Sequence, residues 1–569
     1  MPWHLRDGLK RRQAVLCIVI CLTVNNGTPT PGQAPQPPMF QSAEANPPLV
    51  EAIWNQDIER VKQLLADGAD PVARTSSDQG ITRGRDRPAW EWAIIARDDR
   101  ATELLLSNVK RVDRADALLI AANRNDVALA RALLERGMPV DARGLDGARA
   151  LLIAAAGGHV ETIRLLIERG ANVNLADNHG DTALMAAVRA GSIESIRLLL
   201  AAGADVNARD KSSRTALTWA VRSRSPVVAE ALRARGARGD ASEPPRTLLS
   251  PRAALARSLP LIQEGTATWD ERQTCGACHH HPLMFRAIAV AQRQGFAVNA
   301  PLLEAQILRG QRGSTRRAAL MKEALASEAG VLRWSLRLGG DQAFTGAQLL
   351  SSYVHAGFAW PSLQTEALLL ARMQLRDGSW RYGPPRVPIM SSDFSATASA
   401  IRGLQAFGTP DDVEELNARI ARATTWLRTN TPVTTEDKVF RLFGLGWAKS
   451  DPTLISAAVT LLRNEQNSDG GWSQLRGLNS DAYATGQVLV ALHEAGSVRP
   501  DDLVYQRGVK YLLETQEPDG SWLVHKRAVP LNGYFESGFP HGKFQFISYA
   551  GTCWATMALT YTAAGPSQH

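Results

Sequence analysis

Apolar residues in the first half of the chain recur in short helical blocks cut by turns at a fixed period. Leu165-Leu166-Ile167 and Leu198-Leu199-Leu200 each close such a block, and Gly-Ala-Asn/Asp-Val-Asn follows at 170–174 and 203–207. Gly137, Gly170, Gly203 and Gly236 lie 33 residues apart, and Gly68 precedes Gly137 by two periods plus three residues. A constant period of this size predicts stacked helical repeats, because one helix pair cannot bury its own apolar face. The glycines suit the left-handed conformation just past a helix end. Asp181-Thr182-Ala183-Leu184 and Arg214-Thr215-Ala216-Leu217 open the next helices, where the threonine hydroxyl satisfies free backbone donors.

The second half carries a different helical pattern. Gln374–Trp380, Gln466–Trp472 and Gln516–Trp522 share the form Gln-x-x-Asp-Gly-x-Trp after an apolar run. Asp-Gly makes the turn. The tryptophan is expected to pack back on the helix end, with the glutamine bridging backbone groups there. A second helix then starts near Ser392-Asp393, near Ser480-Asp481, and in drifted form near Ser548-Tyr549.

The first pattern resembles the ankyrin repeat. About six copies fit residues 48–239, the second (near Asp86 to Asp113) degenerate. The resemblance implies a binding surface for a protein partner on the concave face and turn tips, here Asp146, Asn178, His179, Asp210 and Lys211, against the plainer reading of solvated turns. His159, in Gly157-Gly158-His159-Val160, takes a structural place in that pattern. The second pattern resembles the QW repeat of squalene–hopene cyclases and the related α/α barrel of prenyltransferase β subunits, over residues 245–565. The expected fold class is therefore all-α, an ankyrin solenoid followed by a QW-type α/α toroid.

The catalytic sets that these families imply are incomplete. The closest match to the cyclase acid motif is Asp393-Phe394-Ser395-Ala396-Thr397-Ala398, with serine at the proton-donor position and alanine at the next acid. A serine is no strong acid. The zinc set of the prenyltransferases keeps Asp481, but Tyr483 stands for the cysteine and glycine for the histidine near Cys553. Asp393 and Asp481 occupy equivalent positions, which favours helix capping over catalysis. The 523–545 loop, with His525, Glu536, His541 and Lys543, is long enough to cover a toroid mouth.

Charge and composition change the picture little. Hydrophobic content of 44%, charged content of 21% and a net charge of +8 spread along the chain fit a globular protein without a nucleic-acid arm. The start of the chain matters more. Arg6, Lys10, Arg11 and Arg12 precede an apolar run at 14–24, the form of an export signal at residues 1–24. A Pro-rich linker (25–47) follows. The expectation is an exported, periplasmic protein with no membrane span once the signal is removed, or a membrane-anchored one if the signal stays. Cys17 and Cys21 would leave with the signal, so Cys275, Cys278 and Cys553 remain, too few for a disulfide scaffold.

The densest chemistry lies between the two halves, in Cys275-Gly276-Ala277-Cys278-His279-His280-His281-Pro282. Cys-x-x-Cys-His is the attachment signature of c-type haem. In that reading Cys275 and Cys278 bind the haem covalently and His279 is the proximal iron ligand. Met284 lies too near in sequence for the opposite face, whereas His355, His525 or His541 can serve if the fold brings one close. A second reading is zinc on Cys275, Cys278, His280 or His281, and Cys553. A third is a Cys275–Cys278 disulfide or redox pair. The run stands where a Gln-x-x-Asp-Gly-x-Trp turn would fall, so closure of a ring predicts that it lies near 523–553. Function is accordingly expected to be an exported binding or assembly protein with a covalent haem, in electron transfer or redox sensing. The alternatives are a terpenoid-cyclase-like enzyme on an apolar substrate and a purely structural interaction module.

Overall fold

The computed structural model describes residues 48–72, 87–109, 112, 115–239, 248–272, 280–336, 342–381, 387–389, 392–530 and 536–563. The leader, the Pro-rich linker, and Cys275, Cys278 and His279 lie outside the described residues, as does the side chain of His280. All regular elements among the described residues are helices.

Six helix pairs build the first part: α1 (Pro48–Trp54) and α2 (Ile58–Ala66), α3 (Ala89–Ala96) and α4 (Asp99–Ser107), α5 (Ala115–Arg124) and α6 (Val127–Glu135), α7 (Ala150–Gly157) and α8 (Val160–Glu168), α9 (Ala183–Ala190) and α10 (Ile193–Ala201), α11 (Ala216–Arg222) and α12 (Pro226–Ala234). The first helices stack α5 on α7, α7 on α9 and α9 on α11. The periodic glycines do what the pattern asks: Gly137, Gly170, Gly203 and Gly236 follow their helices at φ of 82–86°. Thr182 caps α9, and Thr215 forms a capping box with Thr218 on α11. The turn tips interlock, Asn178 N donating to the Asp146 carbonyl and Lys211 N to that of His179, each at 2.8 Å.

The second part is a closed double ring. Outer helices are α13 (Pro251–Arg272), α15 (Ala300–Leu325), followed by the short α16 (Glu328–Leu336), α18 (Ser362–Arg372), α20 (Val413–Thr429), α22 (Pro452–Asn464) and α24 (Leu503–Thr515). Inner helices are α14 (His280–Arg293), α17 (Gln342–Ala356), α19 (Asp393–Phe407), α21 (Thr435–Trp447), α23 (Ala482–Glu494) and α25 (Gln545–Ala563). Each inner helix packs on the next in that order, and α25 packs on α14, closing the ring.

The repeated turns are the joints. Each tryptophan donates its indole N–H to a carbonyl of the preceding outer helix: Trp380 to Leu370, Trp472 to Leu462 and Trp522 to Leu512, at 2.6–2.8 Å. Each glutamine amide bridges two carbonyls, one in its own turn and one in the following outer helix. Gln466 reaches Gly470 and Val504, both at 2.8 Å, and Gln516 reaches Gly520 and Ala254 at 3.0 and 3.1 Å. The Gln516 bridge therefore ties the last turn to the first outer helix. At Gly470, φ is 88° and a Cβ would lie 2.6 Å from the Arg507 carbonyl oxygen, so only glycine fits.

The ankyrin array lies across the end of the ring where the inner helices begin. Arg376 pairs with Asp57, Arg97 with Asp393, Arg222 with Glu517, and Asn479 N donates to the Ala190 carbonyl at 2.8 Å. The long loop after Trp522 rises from the ring into the array. Asn123 Nδ2 donates to the Arg527 carbonyl at 2.8 Å, and Lys543 pairs with Asp177 and Asp181. No described helix is long and apolar enough to cross a membrane.

Candidate functional site

Ring geometry converges the first turns of three successive inner helices on one buried point beneath the array. Ser395 stands at the start of α19, Glu436 at the start of α21 and Tyr483 at the start of α23. Tyr483 donates its hydroxyl to Glu436 Oε2 at 2.9 Å. Burial pushes the Glu436 carboxyl up to about 8, against the hydrogen bonds from Tyr483 and Ser395. Glu436 is thus a neutral carboxylic acid below that pH, one inner helix beyond the sequence match that lost its acids at Ser395 and Ala396. Nothing in the local spacing marks it. Thr434–Asp437 reads as a capping box, which it is, and Glu436 within it looks like an ordinary first-turn acid.

Arg527 closes this point from above. Its guanidinium is buried and donates through Nε to Gln474 Oε1 at 2.7 Å. Burial lowers it to about 10, against the pull of Asp481 and Glu436. Asp481 caps α23 by accepting from Ala484 N at 2.9 Å, and burial raises it to about 6. The capping expected of Asp481 is present. For Asp393 the outcome differs: Ser392 is the cap of α19, while Asp393 pairs with Arg97 at 3.0 Å and Arg381 at 3.7 Å. The array, not helix capping, engages that acid.

Below the mouth, side chains meet across the ring axis. Arg286 of α14 sits 4.7 Å from the Phe443 ring centroid and 4.9 Å from that of Trp554. In the ring order α14 and α21 stand opposite one another, so this contact crosses the axis. Arg286 also donates to Glu494 Oε2 at 2.7 Å, and Tyr561 donates to Oε1 at 2.6 Å. Burial works to raise the Glu494 carboxyl, but Arg286 and its neighbours hold it down to about 2. Phe440, Phe443 and Trp554 are at most 4% exposed and pack on one another.

Cys275, Cys278 and His279, the main cofactor candidates, lie outside the described residues. Residues 273–279 join outer α13 to inner α14, the relation that the Gln…Trp turns make elsewhere. The preceding helix, α13, touches the expected region: Trp269 packs edge-on against Phe546 at 5.8 Å, and Tyr549 donates to the Ile262 carbonyl at 3.0 Å. His281 Nε2 lies 2.9 Å from Asp270 Oδ1 across the junction. Among the axial candidates, Met284 is buried in α14. His355 lies at the opposite end of the ring, where Arg293 donates to its carbonyl at 2.7 Å. His525 packs between Trp219 and Phe544 under the array, and His541 shares a 2.7 Å hydrogen bond with Ser521. Cys553 is a buried free thiol two turns into α25, raised by burial. No group of three or more metal-ligating side chains occurs among the described residues.

The tips split in role. Asn178 and Lys211 are exposed. Asp210 is buried and pairs with Arg214 at 2.8 Å, while Asp146 and Asp177 face the loop that carries Lys526 and Lys543. His159 shares a 3.0 Å hydrogen bond with the Asn123 carbonyl and is lowered to about 4 by burial, a structural histidine.

Comparison with protein families agrees with both halves. The ankyrin-repeat family model matches three times, over 90–177, 118–210 and 175–242. The model of the squalene-hopene cyclase C-terminal domain matches over 435–564, the stretch that supplies α21 to α25, including Glu436, Tyr483, Asp481 and Arg527.

Proposed function

We propose that the chain is an exported binding or assembly protein that carries a covalent c-type haem on Cys275 and Cys278, with His279 as proximal ligand. One observation carries this reading over a cyclase: the cyclase-like acid motif has serine at the proton-donor position, Ser395, and alanine at the next acid, Ala396. The Cys-x-x-Cys-His run then stands as the chain's main reactive feature, on a junction flanked by Asp270 and His281. Haem bound there would supply one-electron redox chemistry. Haem is favoured over zinc because Cys275, Cys278 and His279 have the Cys-x-x-Cys-His spacing of haem attachment. Export rests on the basic and apolar leader at residues 1–24.

Ankyrin repeats bring a capacity for protein interaction. The ends of their first helices and the Asp177–Asp181 turn meet the toroid of the same chain, so an external partner is proposed on the second helices, where Ile193 and Val227 are 39% and 68% exposed. The test is expression of the full chain with the haem-attachment machinery. The expected result is a Soret band and haem that stays bound after denaturation, both lost in Cys275→Ala. Protein that matures without covalent haem would sink the reading.

One observation favours the cyclase-like alternative: Glu436, a buried acid kept neutral to about pH 8 at the mouth of the ring. Turnover of an apolar polyene by the full chain, abolished in Glu436→Gln, would establish it over the scaffold reading.

A further inference from the structure

The inner helices all end at the face of the ring away from the array. Ordinary capping is present there: Arg293 donates to the His355 carbonyl at 2.7 Å and Gln405 Nε2 to that of Trp447 at 2.9 Å. Arg402 of α19 takes no part in it. It makes no hydrogen bond or ion pair to a described residue, and its Nε is buried without an acceptor. Its guanidinium lies 6.0 Å from the centroid of the Trp447 ring, and the His355 ring lies 5.8 Å from the same indole. The charges that act on Arg402 are Arg286 and Glu494; His355 feels these two together with Arg402 and Arg293. Glu494 is the one acid of that group, and both its oxygens are taken, Oε2 by Arg286 and Oε1 by Tyr561. Arg286 and His355 repeat the deficit of Arg402: Arg286 Nε and His355 Nε2 are buried with no partner. Phe443, beneath Arg286, stacks on Trp447 at 5.0 Å, so the three nitrogens surround one aromatic pair. Burial lowers the imidazole to about 3, so His355 is neutral and one ring nitrogen carries a proton to donate. Helix C-termini attract cations, which accounts for the charges at this end but not for buried donors that lack acceptors.

We infer that a small carboxylate binds at this end of the ring. It would accept side-on from Nε and a terminal nitrogen of Arg402, and from Nε2 of His355, with Trp447 as its apolar wall. The edge of a guanidinium fits a carboxylate in two parallel bonds. Arg402, His355 and Trp447 are all partly open to solvent, so the anion enters at the rim and needs no enclosed chamber. Glu494 beside the site disfavours a second negative charge, which selects a monoanion over phosphate. The inference is independent of haem at Cys275–His279.

The test is isothermal titration of the full chain with acetate, acetamide and phosphate at constant ionic strength. It is repeated with Arg402→Gln, His355→Phe and Arg312→Gln, each checked for folding by circular dichroism. Arg312 is an exposed arginine of outer helix α15, so its variant removes the same charge away from the site. Acetate is expected to bind saturably below about 20 mM, which is the weak range for so small a ligand. Phosphate should bind several-fold more weakly and acetamide not at all. Arg402→Gln should weaken acetate at least about tenfold, or about 1.4 kcal/mol. His355→Phe keeps an aromatic ring beside Trp447 and removes one donor, so several-fold weakening is expected; Arg312→Gln should stay within about twofold. Arg402 has no internal partner to lose, so Arg402→Gln should also melt no lower than the wild type in acetate-free buffer. Each of five results overturns the proposal: no saturable acetate binding, acetamide or phosphate binding as tightly as acetate, unchanged affinity in Arg402→Gln or in His355→Phe, an equal loss in Arg312→Gln, or an Arg402→Gln that fails to fold.

Discussion

Arg97, in the left-handed cap of α3, donates to Asp393 Oδ2 at 3.0 Å. Asp393 is the acid that remains of the cyclase-like motif, and an ankyrin repeat engages it. Its partners are Arg97 above and the buried Arg381 beside it. Asp393→Asn is therefore expected to destabilise the protein by about 2–4 kcal/mol, since it leaves the Arg381 charge buried and unpaired. Arg97→Ala removes the more exposed partner, and about 1 kcal/mol or less is expected. Urea unfolding of both variants checks the order; equal small losses would mean that the pair does not hold the array to the ring.

Glu436 gives a pH signature with a definite sign. Its folded-state value is raised from 4.5 to about 8, so the folded protein binds a proton that the unfolded chain has released. Its contribution is then fully present below about pH 4.5, declines as pH rises and levels off above about 8. Asp481, raised to about 6, has the same sign and is complete by that pH. His159, lowered to about 4, acts oppositely, and its effect ends near 6.5. Stability of the wild type relative to Glu436→Gln should accordingly fall between pH 6.5 and 8, by up to about 1.4 kcal/mol per unit. Parallel stability curves across that window would refute the neutral acid.

Lys543 joins the ring to the array through Asp177 and Asp181. Its side chain is 6% exposed, so Lys543→Met should release the loop locally rather than unfold the ring. The expected readout is faster amide exchange in 536–544 and in α9, with exchange in α21 and α23 unchanged. The loss should be about 2–4 kcal/mol, softened because Arg189 still neutralises Asp181.

The Gln…Trp joints separate hydrogen bonding from packing. Trp472→Phe keeps most of the ring's packing and loses the 2.8 Å bond to the Leu462 carbonyl; about 1–2 kcal/mol is expected. Gln466→Ala unpairs two carbonyls, at Gly470 and Val504, and should cost about 2–4 kcal/mol. If Trp472→Phe proves the worse of the two, packing rather than bridging holds the joint.

Much of this protein is legible in its sequence because the rules involved are local. The 33-residue glycine period, Thr182 and Thr215 at helix starts, and the three Gln…Trp phrases each describe one turn and one helix end, and each forms as written. Ring closure was also within reach, since a set of identical hairpins has to bring its first helix, α13, to its last turn at Gln516. The capping by Asp481 followed from its place before a helix. What the sequence alone left undecided depends on residues hundreds of positions apart. Only the tertiary structure brings Arg97 to Asp393, Asn123 to Arg527 and Lys543 to Asp181, because those pairings follow from the array lying across the mouth of the ring. Only burial makes Glu436 a neutral acid, and only ring closure brings Arg286 against Phe443 across the axis. A local pattern specifies helices and joints; the environment of a charge is set by whatever the finished fold places around it.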